Sequence, residues 1–437
     1  MKPTAKSRTS NRRQFLKTAA LTSAAAATLS QTPFVHAGAN STLKVGLIGC
    51  GGRGTGAASQ ALRADSNVKL WAAGDAFQNR LNTSIGQLQN DGAIAAKIDV
   101  GERRFVGFNA YQQVIDSGVD VVILATPPGF RPIHLDAAVR AGKHVFCEKP
   151  MAVDGPGVRR VMAAVEEARR RRLSLVAGFC WRYYNAMRET VARVHDGALG
   201  DIQVLHCNYL SVPVSYVPRQ PGWSDMEFQV RNWYNYTWLS GDFNVEQHVH
   251  SLDKMGWLMQ NQYPVRCYGT GGRSVRPEAT GGHIYDHMAV VYEWANGVRC
   301  FAFCRQQPNT FGETTDWVVG TRGKAQLLGR GSPSYTITGA NPWRYPPARL
   351  REDTDMYQAE HNELFASIRT GNPINDGETM AKSTLMAIMG RMACYTGQAI
   401  TWEQALGSQQ NLGPAEYRFD AAPPPAIVAR PGETRFS

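Results

Sequence analysis

Leu43-Lys44-Val45-Gly46-Leu47-Ile48 is a short apolar run that leads directly into Gly49-Cys50-Gly51-Gly52-Arg53-Gly54, after which residues 55–64 have helix-forming composition. A strand, a glycine cluster and a helix in that order leave few folds open, because such glycines let the backbone turn tightly and approach a pyrophosphate at the helix N-terminus. Gly49, Cys50, Gly51, Gly52, Arg53 and Gly54 are therefore the candidate cofactor loop. Residues 68–73 read as a second strand ending at Gly74-Asp75, about 20 residues past the last glycine, where an acid accepts from an adenosine ribose and repels a 2′-phosphate. Asp75 favours NAD. Arg80, about one helical turn further on, leaves NADP open.

Residues 119–125 are continuously apolar, as in a strand buried on both faces of a parallel sheet, and Thr126-Pro127 ends it where a ligand crevice belongs. A helix over 133–141 and a strand over 143–147 follow, ending in Glu148-Lys149-Pro150. This is a doubly wound α/β pattern of the Rossmann kind. Residues 153–172 read as a helix whose closing four arginines are a solvated cationic end rather than a nucleic-acid patch. A strand over 173–177 leads into a second region. There, alternation over 288–294 and 298–305 around Asn296-Gly297 predicts a hairpin with a type I′ turn, and Arg322-Gly323 predicts another. With 202–210 and 265–269 these give an α+β unit built on a large, mostly antiparallel open sheet. The expected organisation is a leader over 1–37, a nucleotide-binding domain over 38–152, a substrate and oligomerisation domain over 153–370, and a helix and Pro-rich tail over 371–437 packing back on the first domain.

The leader accounts for much of the formal charge of +11: Lys2, Lys6, Arg8, Arg12, Arg13 and Lys17 stand there without an acid. The remaining excess is too small to argue for a nucleic-acid partner. Arg12-Arg13-Gln14-Phe15-Leu16-Lys17, a mild Ala-rich stretch and Val35-His36-Ala37 have the form of a twin-arginine export signal with its cleavage site. This predicts an exported, periplasmic protein handled by the twin-arginine machinery. Eight scattered cysteines with no CxxC pair read as small apolar fillers, not a metal site.

The set LKVGLIGCGGRG, Asp75, ILATPP and AGKHVFCEKP resembles the glucose-fructose oxidoreductase and inositol dehydrogenase family, Gfo/Idh/MocA. The resemblance implies an NAD(P)-dependent oxidoreductase acting on a sugar, polyol or glycoside, with a homo-oligomer formed through the open sheet. It implies that Lys149 lies beside the reacting carbon with Pro150 in a cis peptide, and that Thr126, Pro127 and Glu148 line the cofactor site. Many members have a histidine where this chain reads Gly129-Phe130-Arg131, with His134 three positions later. A Gly-Phe…Arg-Phe segment of the family makes Arg182 and Tyr183 substrate-contact candidates, although Tyr183 fits equally in the core.

Residues 233–253 mix aromatics with histidines and carboxylates. On one helix, Glu246 and His250 share a face, as do His250 and Asp253, so a carboxylate could orient an imidazole that takes a hydroxyl proton. The family pattern Asp-x-x-x-His-x-x-Asp maps onto Glu246, His250 and Asp253, with Glu for the first Asp. Lys149, His250 and Glu246 are the catalytic candidates. Trp238, Asp242 and His248 are substrate candidates, Trp238 within a stacking wall with Trp223, Trp233 and Tyr236. His248 fits a buried structural role as well, and no metal is expected because His-x-His on a helix points its rings about 200° apart. Two alternatives stand beside net oxidation: glycoside cleavage through transient oxidation and elimination, and sugar binding without catalysis.

Overall fold

The computed structural model describes residues 41–328 and 334–436, so the leader expected over 1–37 lies outside the described residues. Six parallel strands form the first sheet: β1 (Leu43–Ile48), β2 (Val68–Asp75), β3 (Arg104–Val106), β4 (Val121–Leu124), β5 (His144–Cys147) and β6 (Leu175–Ala177), in the order β3-β2-β1-β4-β5-β6. The crossovers are α1 (Gly52–Ala64), α2 (Gln78–Asn90), α3 (Ala110–Asp116), α4 (Arg131–Arg140) and α5 (Gly155–Arg170). Strand order reverses between β1 and β4, which pair from Val45↔Val121 to Ile48↔Leu124, and the crevice at a reversal is where such sheets bind ligands. β4 is buried throughout, consistent with helices on both faces. The boundary expected at residue 152 moves outward, since β6 pairs parallel with β5.

After α6 (Asn185–His195), the second sheet takes up β7 (Ile202–Ser211). Four short helices follow: α7 (Asp225–Arg231), α8 (Thr237–Ser240), α9 (Phe243–Glu246) and α10 (Val249–Leu258). The remaining strands are β8 (Arg266–Gly272), β9 (His287–Glu293), β10 (Arg299–Gln306), β11 (Glu313–Gly320), β12 (Gly323–Leu328), β13 (Thr336–Gly339), β14 (Trp343–Arg344) and β15 (Ile400–Thr401). Their order is β14-β13-β12-β11-β7-β10-β9-β8-β15, antiparallel except where β10 lies parallel to β7. The type I′ turn is not formed. Gly297 has φ +86° whereas Asn296 has no positive φ, and Gly297 N–H donates to Trp294 O: a type I turn closed by a left-handed glycine. In the next hairpin Gly320 pairs with Gly323, which shifts the turn one residue back, to Thr321-Arg322.

Of the late helices α11 (Arg349–Glu352), α12 (Met356–Thr370), α13 (Gly377–Thr396) and α14 (Trp402–Gly407), it is α12 that packs on α1, ahead of the expected boundary at 371. α13 lies against α5 and β8 instead, and β15 extends the second sheet. The tail does reach the first unit, where Phe419 stacks on Phe77 and Phe108.

α10 is tied to the second sheet by a buried ion pair, Lys254 with Asp316 of β11, whose side chains are 1% and 0% exposed. Removing one member strands the other charge, which costs about 3–5 kcal/mol, whereas replacing both by apolar groups is close to neutral. Lys254→Met should therefore lower stability by about that amount, and Lys254→Met/Asp316→Leu should recover most of it, as read from urea denaturation midpoints.

Candidate active site

β1 stops at Gly49, whose φ of +97° excludes most side chains. A Cβ on Gly54 would sit 1.9 Å from Gly49 O, so only glycine lets α1 begin this close to the strand it follows. Gly52 meets nothing within 4 Å and Gly51 only the Arg80 guanidinium at 3.6 Å. The start of α1 carries no side-chain cap, so its first N–H groups open onto a cavity of about 420 Å³. This uncapped, glycine-lined cradle suits a pyrophosphate.

Cys50 is the exception within the loop. Its side chain is buried behind the cavity, and its N–H donates to Asp75 Oδ2 at 2.7 Å. Asp75 Oδ1 accepts from Phe77 N–H at 2.9 Å, so the acid clamps the loop while its carboxylate still borders the cavity with Arg80. Burial raises the Asp75 pKa. Arg53 is held by Glu148 and, at 3.3 Å, by Glu360 of α12, with its guanidinium over the Tyr357 ring.

Thr126 and Pro127 line the same cavity. Thr126 Oγ1 lies 3.2 Å from His134 Nδ1, and the imidazole stacks between Tyr111 and Phe130. Burial drives the His134 pKa down to about 3, leaving it neutral. Arg131 occupies the stretch where the resemblance implies a histidine. It is buried, borders the cavity and donates from Nη1 to Pro150 O.

Lys149 stands two residues beyond the end of β5, at a cis Lys149–Pro150 peptide, and lines the cavity. It donates to Glu246 Oε1 at 2.8 Å and to Glu246 O. This corrects the expected role of Glu246. The segment breaks between α9 and α10, so Glu246 serves the lysine rather than the imidazole. Asp253 does not orient His250 either: it receives Arg182 Nε at 2.8 Å and Nη2 at 2.9 Å, and Ser383 Oγ at 2.7 Å. His250 borders the cavity with Phe179 edge-on behind it, and its Nδ1 has no hydrogen-bond partner among the described residues. Burial holds its pKa well below the ordinary 6.5, with the charges of Lys149, Lys254 and Arg53 adding to the effect.

The five substrate candidates lie outside the cavity lining. Arg182 is spent on Asp253 and stacks over Trp257. Tyr183 is core, donating to Asp376 at 2.6 Å. Trp238 is buried, its indole N–H on Gln229 Oε1 at 2.7 Å and its carbonyl so near Gly129 that a Cβ there would lie 2.1 Å away. Asp242 is fully buried and accepts from Phe243 N–H, Tyr285 N–H and Tyr395 Oη. His248 sits between Asn244 Oδ1 and Cys207 Sγ, at a pKa driven down to about 3 by burial, and so is turned away from His250. Of the aromatic wall only Trp233 reaches the cavity. Tyr209, Gln247 and Tyr357 reach it unforeseen, since nothing local in a strand tyrosine or a lone glutamine marks it.

Residues 43–178 match the family described as GFO_IDH_MocA, oxidoreductase family, NAD-binding Rossmann fold. That stretch is thus similar to the NAD-binding unit of an oxidoreductase family. The chain is similar to inositol 2-dehydrogenase of Rhizobium meliloti (strain 1021), 23% identical, over 77% of this chain and 93% of that one. It is also similar to trans-1,2-dihydrobenzene-1,2-diol dehydrogenase of Mus musculus, 24% identical, over 64% and 78%. Among solved structures, a levoglucosan dehydrogenase in complex with NADH and levoglucosan shares the fold at TM-score 0.65 and 16% identity, over 83% of this chain and all of that one. An aldose-aldose oxidoreductase from Caulobacter crescentus does so at 0.62 and 20%, over 82% and 99%.

A histidine with a lowered pKa keeps its proton-accepting form as pH falls below 6.5 and loses it only near the lowered value. If His250 is the base, the acid limb of kcat/KM in this oxidoreductase should lie well below 6.5; a limb centred near 6.5 would remove His250 from that role.

Proposed function

We propose that this oxidoreductase uses tightly held NAD to oxidise a ring hydroxyl of a sugar, polyol or glycoside. The observation that carries the reading is that Lys149 and His250 open into the same cavity as the uncapped start of α1. When bound, NAD supplies the hydride acceptor. Neutral His250 accepts the hydroxyl proton, and the Lys149 ammonium stabilises negative charge on that oxygen as it forms. Glu246 keeps Lys149 aimed until the substrate hydroxyl shares it. Asp75 at the ribose end supports NAD over NADP, since a 2′-phosphate would meet its carboxylate.

The twin-arginine leader supports export to the periplasm, where free nicotinamide is not expected, so the cofactor is loaded before transport and reset by a second substrate. The outer face of the second sheet supports a homo-oligomer: Tyr268, Phe301, Phe303 and Val319 are exposed on its strands, Phe301 and Phe303 on β10, whose intervening residues are buried. Such a patch is costly to leave in water.

The test is to purify the exported protein and follow its reduced-nicotinamide absorbance on adding sugars and glycosides, with no added cofactor. A band that rises and persists until a carbonyl substrate arrives is the expected result. Glycoside cleavage without a lasting band would replace net oxidation by the oxidation–elimination route, and no nucleotide would overturn both. Lys149→Ala and His250→Ala should each cut turnover by about 100-fold or more while the nucleotide stays bound. Unchanged turnover in either would remove that residue from the chemistry.

A further inference from the structure

Behind the cavity wall runs a buried chain of polar side chains whose direction is fixed from its far end. Arg276 is buried, and a guanidinium can only donate. It gives Nε–H to Tyr285 O at 2.6 Å, Nη1–H to Asn235 Oδ1 at 3.0 Å and Nη2–H to Gln306 Oε1 at 2.7 Å. The oxygen of the Gln306 amide must therefore face Arg276, and its nitrogen must face the other way. That nitrogen donates to Tyr234 Oη at 2.9 Å and to Gln247 Oε1 at 2.7 Å. With its own oxygen engaged, Gln247 lines the cavity with only its two amide N–H donors left for a ligand, one residue after the glutamate that holds Lys149.

The geometry points to Gln247 as a substrate-reading donor, set by Gln306 and Arg276, that binds a lone-pair oxygen beside the hydroxyl being oxidised. The substrate class is thus a vicinal diol or α-hydroxy ether of a ring, and a substrate lacking the second oxygen leaves the Gln247 donors without a protein or substrate acceptor. This rests on the oxidoreductase reading above and extends it to substrate recognition. Gln306 is a positioning residue, since it acts only through Gln247.

Gln306→Glu and Gln306→Met separate positioning from structure. Glutamate keeps the contact to Arg276 as an ion pair but accepts from Gln247, which turns the Gln247 amide and puts its oxygen at the cavity. Methionine merely releases it. If Gln306 were only a structural support, methionine would be the worse replacement; as a positioning residue, glutamate is the worse one. With NAD-loaded protein and myo-inositol, D-glucose and levoglucosan as probes, Gln306→Glu should raise KM for the oxidised probe about 10-fold, with kcat changed far less, and Gln306→Met should raise it less. Gln247→Leu should match Gln306→Glu, and adding Gln306→Glu to Gln247→Leu should cost nothing more. Nucleotide retention and melting temperature establish that each variant is folded. A KM for Gln306→Met equal to or above that of Gln306→Glu overturns this inference alone. Wild-type protein that holds NAD yet oxidises none of the three probes overturns the oxidoreductase reading for this substrate class, and this inference with it.

Discussion

Lys149 Nζ and the Glu246 carboxylate meet at 2.8 Å with side chains 12% and 13% exposed, and this contact joins the carboxyl end of β5 to the helices lying on the second sheet. An ammonium at that depth is costly unless a carboxylate and further acceptors satisfy it. Glu246 supplies both its side chain and its backbone carbonyl. The two units thereby share one wall: the glycine loop and Lys149 come from the first, and Gln247 and His250, one and four residues after Glu246, from the helices on the second sheet. A residue at position 246 too short to reach Lys149 would leave the lysine with the backbone carbonyl alone.

The nucleotide-binding half was legible in the sequence because its determinants are local. The turn after β1, the reach of Asp75 and the uncapped start of α1 are set by residues within one strand–helix–strand unit, and the structure places them together. The second half was legible only as a class. Its open sheet, its strand segments and its helices were readable from alternation and composition, yet partner choice was not. Asp253 has the right spacing to serve His250, but Arg182, more than seventy residues earlier in the chain, offers a bidentate fork that a single imidazole N–H does not match. Likewise Asp242 and His248 carry the residue types of a reactive site and prove to be satisfied buried groups. Helical spacing could not reveal this, because the chain breaks between α9 and α10 and turns His248 inward while His250 faces the cavity.

The groups around the cavity share a construction. Arg53 is fixed by Glu148 and Glu360, Arg131 by the Pro150 carbonyl, Lys149 by Glu246 and Gln247 by Gln306. Most of these partners lie far along the chain from the group they fix, so the polar surface offered to a ligand has little rotamer freedom left to lose on binding. His250 differs from these. Its inner nitrogen has no partner among the described residues, and the charges of Lys149, Lys254 and Arg53 all oppose its protonation. A strong carboxylate partner would have raised its basicity and risked charging it before substrate arrived. Leaving the imidazole unsupported keeps it neutral. In the proposed reaction, taking the proton from a hydroxyl is then unfavourable until negative charge on that oxygen is met by Lys149, which would couple the two groups through the substrate rather than through a protein hydrogen bond.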